Sequence, residues 1–403
     1  MVARTLTTTC CVVGGGPAGM VLGLLLARAG IDVTILEKHQ DFLGDFRGDT
    51  VHPSTLQIMQ ELGLLEEFLR RPYQELRTLG AEIGGEFVEV VDFTHLPTRC
   101  KFIALMPQWD FLNFLAEHAK RYREFHLLIR TEGVGLIRDG DRVVGVTAQY
   151  PDGTLNIRAD LVIATDGRHS TLRDAAKLPV VDLGAPMDVL WLRLSRHEDD
   201  PAQTLGRIEP GRVFVTLDRG GYWQCAFVIA KGGFDQIRNA GLEAFRQEIV
   251  RVAPHFRDRV SGISTWDQVK LLSVAVNRLE QWHLPGLLLI GDAAHAMSPI
   301  GGIGINLAVQ DAVAAANILV PQFRAGRVAE QDLHAVQRRR ELPARLTQSV
   351  QTAIQNRVIS NVLRSERQIA PPWPVRMLGR FAPLRRIPAR ILGLGFRSEH
   401  VRV

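Results

Sequence analysis

The sequence predicts an α/β protein, α+β overall: a dinucleotide-binding domain of strands and helices, an inserted antiparallel-sheet domain, and C-terminal helices. Three observations predict it. A glycine-rich strand–turn–helix unit opens the chain at Thr9 to Ala29, and two further units of this kind follow at Leu161 to Leu178 and Leu287 to Ala316. Between them lie alternating stretches rich in β-branched and aromatic residues, which read as antiparallel strands. The 403 residues exceed one ordinary core, so two domains are expected.

Composition narrows the class. A hydrophobic share of 46% with 23% charged residues describes a globular chain rather than a disordered one. The longest apolar runs, Gly19 to Ala27 and Leu284 to Gly291, fall far short of the ~20 residues of a membrane span. The opening MVARTLTTTCCVV has no signal-like apolar region ahead of a cleavage site. Cys10, Cys11, Cys100 and Cys225 form no CxxC pair and no metal spacing, so packing in a reduced, cytoplasmic setting is expected. The net charge of +5 is uneven: residues 370–403 hold seven Arg and one Glu, so the remainder nets −1. Basicity confined to a tail does not describe a nucleic-acid groove. A solvated helical face is the expected role of the tail, with an acidic membrane surface as the lesser alternative.

The first unit, TCCVVGGGPAGMVLGLLLARAG, reads as a buried strand Thr9 to Val13, a G-x-G-x-x-G turn and a helix Met20 to Ala29. Gly14 permits the tight turn, Gly16 lets a pyrophosphate approach the backbone, and Gly19 lets helix and strand pack closely. Pro17 and Ala18 complete the loop, and the helix start offers N–H groups and positive dipole to phosphate. A second strand, DVTILEK, carries Glu37 18 residues past Gly19, where a carboxylate accepts from a ribose diol, with Lys38 beside it. Glu132 to Arg138 lacks the third glycine, so one dinucleotide has a dedicated site, NAD or FAD by this motif alone.

The second unit reads as a strand Leu161 to Ala164, then Asp166-Gly167, then a helix capped by Ser170, with Asp166 and Arg173 bracketing the turn. Asp166 reads either as a ligand or as a turn cap. The third unit is a strand Leu287 to Ile290, then Gly291-Asp292, and a helix Asn306 to Ala316. Gly301, Gly302 and Gly304 ahead of that helix leave an anion site clear of side chains, and Asp292 stands where it would hold a sugar or ribityl hydroxyl.

In this order, GGGPAG with Glu37, TDGRHSTLR and GDAAHAMSPIGGIGINLAVQDA resemble the single-component FAD-dependent aromatic hydroxylases, the group of para-hydroxybenzoate hydroxylase and the ubiquinone-biosynthesis hydroxylases. The resemblance implies non-covalent FAD, NAD(P)H and O2 as co-substrates, and a flavin C4a-hydroperoxide that hydroxylates a small to medium aromatic substrate, phenolic or polyketide-like. It implies that Asp292 meets the ribityl-pyrophosphate region and that Asp166-Gly167 serves both nucleotides. Pro299 and the loop through Gly302, Gly304 and Ile305 would lie along the isoalloxazine ring, with the Asn306 and Leu307 amides near its pyrimidine edge. Arg47 matches an arginine that reaches the cofactor, and Gln108 a residue at the FAD ribose or phosphate. The chain departs from the group in places. None of Tyr73, Tyr122, Tyr150 and Tyr222 lies near the C-terminus, where para-hydroxybenzoate hydroxylase has its substrate-activating tyrosine. There is no W-x-W-x-I-P pattern of the related halogenases, and no stretch matching the thioredoxin-like domain of larger phenol hydroxylases is expected. The alternatives are a flavin reductase or dehydrogenase of geranylgeranyl-reductase type and a non-catalytic nucleotide-binding module.

The resulting division assigns 1–76, 101–182 and 281–340 to the FAD-binding domain, 77–100 and 183–280 to the substrate domain, and 341–403 to a C-terminal helical segment. Met187 to Ser195, GRVFVTLDRG and GYWQCAFVIAKGG read as strands, the last two joined by a hairpin on Gly220-Gly221. Pocket candidates are Trp191, Arg193, Tyr222, Trp223 and Gln224, with His52 from the first domain and Pro299 from the loop. Alternation puts only half of the strand residues on one face and leaves the choice between Trp191 with Arg193 and their neighbours open. His52 and His295 lack ligand spacing, so no metal is expected, and His295 reads as packed or hydrogen-bonded in the flavin loop. No side chain is singled out as the catalytic base, since the flavin carries the chemistry. The chain is expected to be a monomer or homodimer.

Overall fold

The computed structural model describes residues 4–42, 50–200 and 205–403. At its centre the strand Arg4–Val13 pairs in parallel with Val33–Leu36 on one side and with Gly153–Ala164 on the other. Phe125–Leu128 and Leu287–Leu289 extend the parallel array outward on the two sides. Arg142–Tyr150 and Glu132–Asp139 add antiparallel strands along the first half of Gly153–Ala164. The central strands read as near-continuous apolar runs because both faces are covered. Cys10 and Val12 face the helices Pro17–Arg28, Gln108–Ala119 and Gly304–Arg324. Cys11 and Val13 face a second core that includes Leu172, Trp282 and Met297. All four cysteines are buried and free.

Helix Gly304–Arg324 is apolar and long enough by composition to cross a membrane, yet 78% of its apolar window is buried within the fold. It packs between Pro17–Arg28 and Glu330–Ile354.

The second sheet runs in the order Lys270–Leu272, Met187–Ser195, Tyr222–Ala230, Arg212–Asp218, Leu205–Glu209, Thr78–Ile83, Glu86–Asp92. The hairpin at Thr78–Asp92 joins through a parallel pairing with Leu205–Glu209. Gly220 takes φ +75° in the turn between Arg212–Asp218 and Tyr222–Ala230, a conformation glycine adopts freely. One face of this sheet (Leu190, Leu192, Leu194, Trp223, Cys225, Phe227) is sealed by Phe245 and Ile249 of helix Leu242–Val252 and by Phe256. The other carries Val189, Trp191, Ala226 and Val228 and meets Ile300, Ile359 and Val362.

Helix Glu330–Ile354 crosses the expected 340/341 boundary without a break and continues through a π-helical turn, Gln355–Ile359, into Ser360–Arg364. Helices Trp373–Arg380 and Arg386–Leu394 then lie on the edge strand Glu86–Asp92. The last residues are strapped down. Arg339 donates two hydrogen bonds to the Glu399 carboxylate at 2.6 and 3.0 Å, and Asn317 donates to His400 O at 2.8 Å.

Candidate active site

Gly14, Glu37, Thr165-Asp166 and Gly291-Asp292 all lie at or just beyond the carboxyl ends of four adjacent parallel strands. Ligands of open parallel sheets bind outside those ends. The strand ends are stitched together: Thr165 N donates to Val13 O at 2.7 Å, Gly14 N to Leu36 O at 2.8 Å and Ile290 N to Ala164 O at 3.1 Å. Gly14 takes φ +109°, and a Cβ there would strike Thr165 O. A Cβ at Gly19 would strike Gly14 O, which is the close helix–strand approach, whereas one at Gly16 would meet nothing within 4 Å. Open space therefore stands before the N-terminus of Pro17–Arg28, where Pro17 lacks an N–H and the free amides behind it face outward. Gly291, at φ +62°, sits between Ala18 and Ala308 and brings the first and third units into contact.

Glu37 is buried and accepts from Gly15 N and His39 N, both at 2.9 Å, while Lys38 is exposed. Asp166 behaves as a cap. Its carboxylate accepts from Ser170 Oγ and from Leu172 N at 3.1 Å, while Ser170 Oγ accepts from Arg173 N at 3.0 Å and caps Thr171–Ala176. Burial pushes the Asp166 carboxyl above its usual range, and the Ser170 and Leu172 hydrogen bonds offset this only in part. Gly167 beside it takes φ +85°. Asp292 Oδ2 accepts from Arg168 Nη2 at 3.3 Å, so an arginine the sequence reading passed over ties the second unit to the third. Arg168 Nη1 is buried and has no partner among the described residues. Gln108 is half-buried in the first turn of Gln108–Ala119, which packs on Pro17–Arg28. Arg47 lies outside the described residues.

The third-unit loop is held from several sides. A Cβ at Gly301 would meet Leu392, and one at Gly302 would meet Thr50. The expectation that these glycines leave a clear space for an anion is therefore corrected: they admit positive φ (+75° and +63°) and close approach of chain from elsewhere. Gly304 is the only one of the three whose Cβ direction lies near Asp292, at 3.9 Å from Oδ1. The half-buried Pro299 and Ile305 bracket the loop. The Asn306 side chain is buried and faces the helix Pro53–Glu61. Its Oδ1 accepts from His52 N at 3.0 Å and Thr55 Oγ1 at 2.7 Å, so it caps helix Pro53–Glu61. We expect Gly302→Val to force this loop off Thr50 at residue 302's positive φ. Substrate-stimulated turnover should then fall more than FAD content, because Gly14 to Glu37 is untouched; equal losses in a side-by-side assay would contradict this.

A row of buried glutamines on helix Glu330–Ile354 and its π-helical extension braces the same loop. Gln348 donates to Ala296 O at 3.1 Å. Gln351 accepts from Ser298 N at 3.2 Å and donates to Ser298 O and Ile300 O at 3.0 and 2.9 Å, and Gln355 donates to Ser298 Oγ at 2.7 Å. Gln351 thus offers the loop the donor and acceptor that a neighbouring strand would. Beneath it, buried Asp311 accepts from Gly291 N at 3.1 Å, His295 Nε2 at 2.6 Å and Arg340 Nε at 2.8 Å. Burial pushes the Asp311 carboxyl up, but His295 and Arg340 outweigh it and hold the group below the carboxylate range. His295 is thus a hydrogen-bonded core residue of the loop. Among the described residues no cluster of metal-ligating side chains occurs.

Strand register decides the substrate face. Trp191 pairs with Ala226 and Arg193 with Gln224, which puts them with Tyr222 on the face that meets Ile300. Arg193 stacks over the Tyr222 ring at 4.7 Å, and Gln224 accepts from Arg219 Nε at 2.8 Å. Trp223 stands on the opposite face, packed on Phe256 and donating to Asp200 at 2.7 Å, so it is no pocket residue. His52 is fully buried, and its Nδ1 donates to Leu392 O at 2.7 Å, tying Pro53–Glu61 to the C-terminal helix, while its Nε2 has no partner among the described residues.

Burial lowers the His52 pKa to about 4, the Leu392 bond opposing it. Between about pH 4 and 6.5 the unfolded chain binds a proton that the folded one refuses. This histidine's contribution is therefore complete above pH 6.5 and is lost as the pH falls toward 4. The expected loss between pH 7 and 5 is about 2 kcal/mol of unfolding free energy. Denaturant titration of wild type against His52→Gln checks it, and identical pH slopes would contradict it.

Strand-end glycines, an acid on each flank and a braced loop make up the candidate site, and the comparisons place the chain among FAD-dependent monooxygenases. The chain belongs to the FAD binding domain family, whose model matches residues 7–350. It is 32% identical to 6-methylpretetramide 4-monooxygenase of Streptomyces rimosus over 98% of this chain and 94% of that protein. It is 26% identical to para-nitrophenol 4-monooxygenase of Pseudomonas sp. (strain WBC-3) over 78% of each. The crystal structure of p-nitrophenol 4-monooxygenase from Pseudomonas putida superposes with a TM-score of 0.79 at 22% identity, covering 98% of this chain and 100% of that one. The enzyme class displaces the reductase and binding-module alternatives.

Proposed function

We propose that this FAD-dependent monooxygenase hydroxylates a phenolic or polyketide-like aromatic compound at the Trp191 face of the second sheet, with NAD(P)H as reductant. The observation that carries the reading is the Trp191 indole N–H. It is buried without a partner among the described residues, beside the apolar Val189, Ala226 and Val228 on a face that Ile300 joins to the braced loop. Such a face accepts a flat apolar ring and offers one donor to a ring oxygen.

The residues present fit FAD. The open space beyond Gly16, the helix-end amides and the unpartnered Arg168 Nη1 suit its pyrophosphate, Glu37 suits a ribose, and Asp292 the ribityl hydroxyls. Asp166 acts mainly through the helix it caps. When bound, the flavin supplies hydride acceptance and the transfer of one oxygen atom from O2 to an electron-rich ring. The chain's part is to orient the ring against Trp191, exclude water with Val189, Ala226 and Val228, and place the Arg193 cation over Tyr222 at the rim, where it favours an ionised phenol. A 6-methylpretetramide enzyme among the relatives supports the polyketide-like choice. A cytoplasmic setting accords with the reading.

The test is a panel of phenols, quinols and aromatic polyketides scored for NADH or NADPH oxidation and oxygenated product. Trp191→Phe should raise KM for the preferred compound roughly three- to tenfold by loss of one hydrogen bond. An unchanged KM would move the substrate off this face.

A further inference from the structure

We propose that helices Trp373–Arg380 and Arg386–Leu394 form a docking surface for an anionic membrane. Trp373 is 71% exposed, Ile387 61% and Phe381 47%, and Met377 is exposed with them. On a helix of 100° per residue, Trp373 and Met377 share one flank of the outer face, Arg376 and Arg380 share the adjoining flank, and exposed Phe381 follows at the helix end. Arg386 and Arg390 are exposed on the second helix beside Ile387. These four arginines make no ion pair among the described residues, and the sequence holds no acid between Glu366 and Glu399.

The surface is built rather than loose. Gly379 lies against Val88 of the edge strand. Arg385 clasps the pair from inside, donating to Glu89 at 2.8 Å, Leu378 O at 2.8 Å and Gly379 O at 2.6 Å. One arginine thus holds the two helices down while four point outward with four large apolar side chains.

Charge decides the occupant. A second copy meeting this face about a twofold axis would set the arginines of these helices against one another, with no acid on either helix to neutralise them. An anionic bilayer supplies phosphates for the guanidinium groups and an interfacial layer for an indole and aliphatic wedge, with no preformed pocket required. The solvated face expected from the sequence accounts for the arginines but leaves the exposed tryptophan and its neighbours unexplained.

The test is sedimentation of the full-length, FAD-loaded protein with vesicles of phosphatidylglycerol and phosphatidylcholine, against phosphatidylcholine alone. Binding is expected only to the anionic vesicles and should weaken with salt. Arg376→Ala with Arg380→Ala should reduce it roughly 25-fold, from about fivefold per arginine. Trp373→Ala should reduce it severalfold at unchanged net charge. FAD content and turnover in vesicle-free buffer should match wild type in both variants. No binding to anionic vesicles at low salt would overturn the proposal. So would a Trp373→Ala protein that binds like wild type, which would reveal only general attraction of a basic chain. A concentration-dependent dimer abolished by the same variants would assign the face to a second copy instead.

Discussion

Asp292→Ala is expected to weaken FAD binding about ten- to hundredfold. The replaced carboxylate would accept charge-assisted hydrogen bonds from the cofactor, each worth about 1.5–3 kcal/mol. The variant also leaves Arg168 without its 3.3 Å partner in a partly buried crevice. Flavin-fluorescence titration of the apoprotein measures the change, and circular dichroism separates it from misfolding. Retention of FAD at wild-type affinity would remove Asp292 from the site.

Gln351→Leu is expected to have the largest effect of any substitution outside the crevice. It strips partners from Ser298 N–H, Ser298 C=O and Ile300 C=O in a nearly dry interior, at about 1–3 kcal/mol for each group left unpaired. Released, the loop should no longer hold Ile300 against the Trp191 face. FAD should still bind through the strand-end residues, while the ratio of oxygenated product to NAD(P)H consumed falls and hydrogen exchange at residues 298–300 rises in the apoprotein. Gln351→Glu should not rescue it, since an ionised carboxylate accepts from Ser298 N but has no N–H for Ser298 O and Ile300 O. Wild-type coupling in Gln351→Leu would mean that the loop is held by its other contacts alone.

What the sequence disclosed is what short-range chemistry encodes. The Gly14 turn, the Ser170 cap and the Gly220 hairpin each need a particular residue within a few positions, so pattern alone locates them. The partners of the third-unit loop are remote: Thr50 lies about 250 positions before Gly302, and Leu392 about 90 after Gly301. No local pattern could tell that the two glycines make way for these rather than for a ligand. Alternation grouped residues within each strand, but only the pairing register sets Trp223 opposite Trp191, and only the position of helix Leu242–Val252 tells which face is covered. Arg168 went unread because nothing local distinguishes it from a solvated turn residue. The glutamines did leave a signal. Gln348, Gln351 and Gln355 recur at helical spacing on a stripe that buries completely, and polar residues repeated on a core face call for a backbone to bind.

The most direct test of the central claim is mass spectrometry of the product formed under isotopically labelled O2 with FAD, NAD(P)H and the preferred aromatic compound. The account predicts one labelled oxygen atom in each product molecule. Unlabelled product, or a product merely dehydrogenated or saturated, would contradict it.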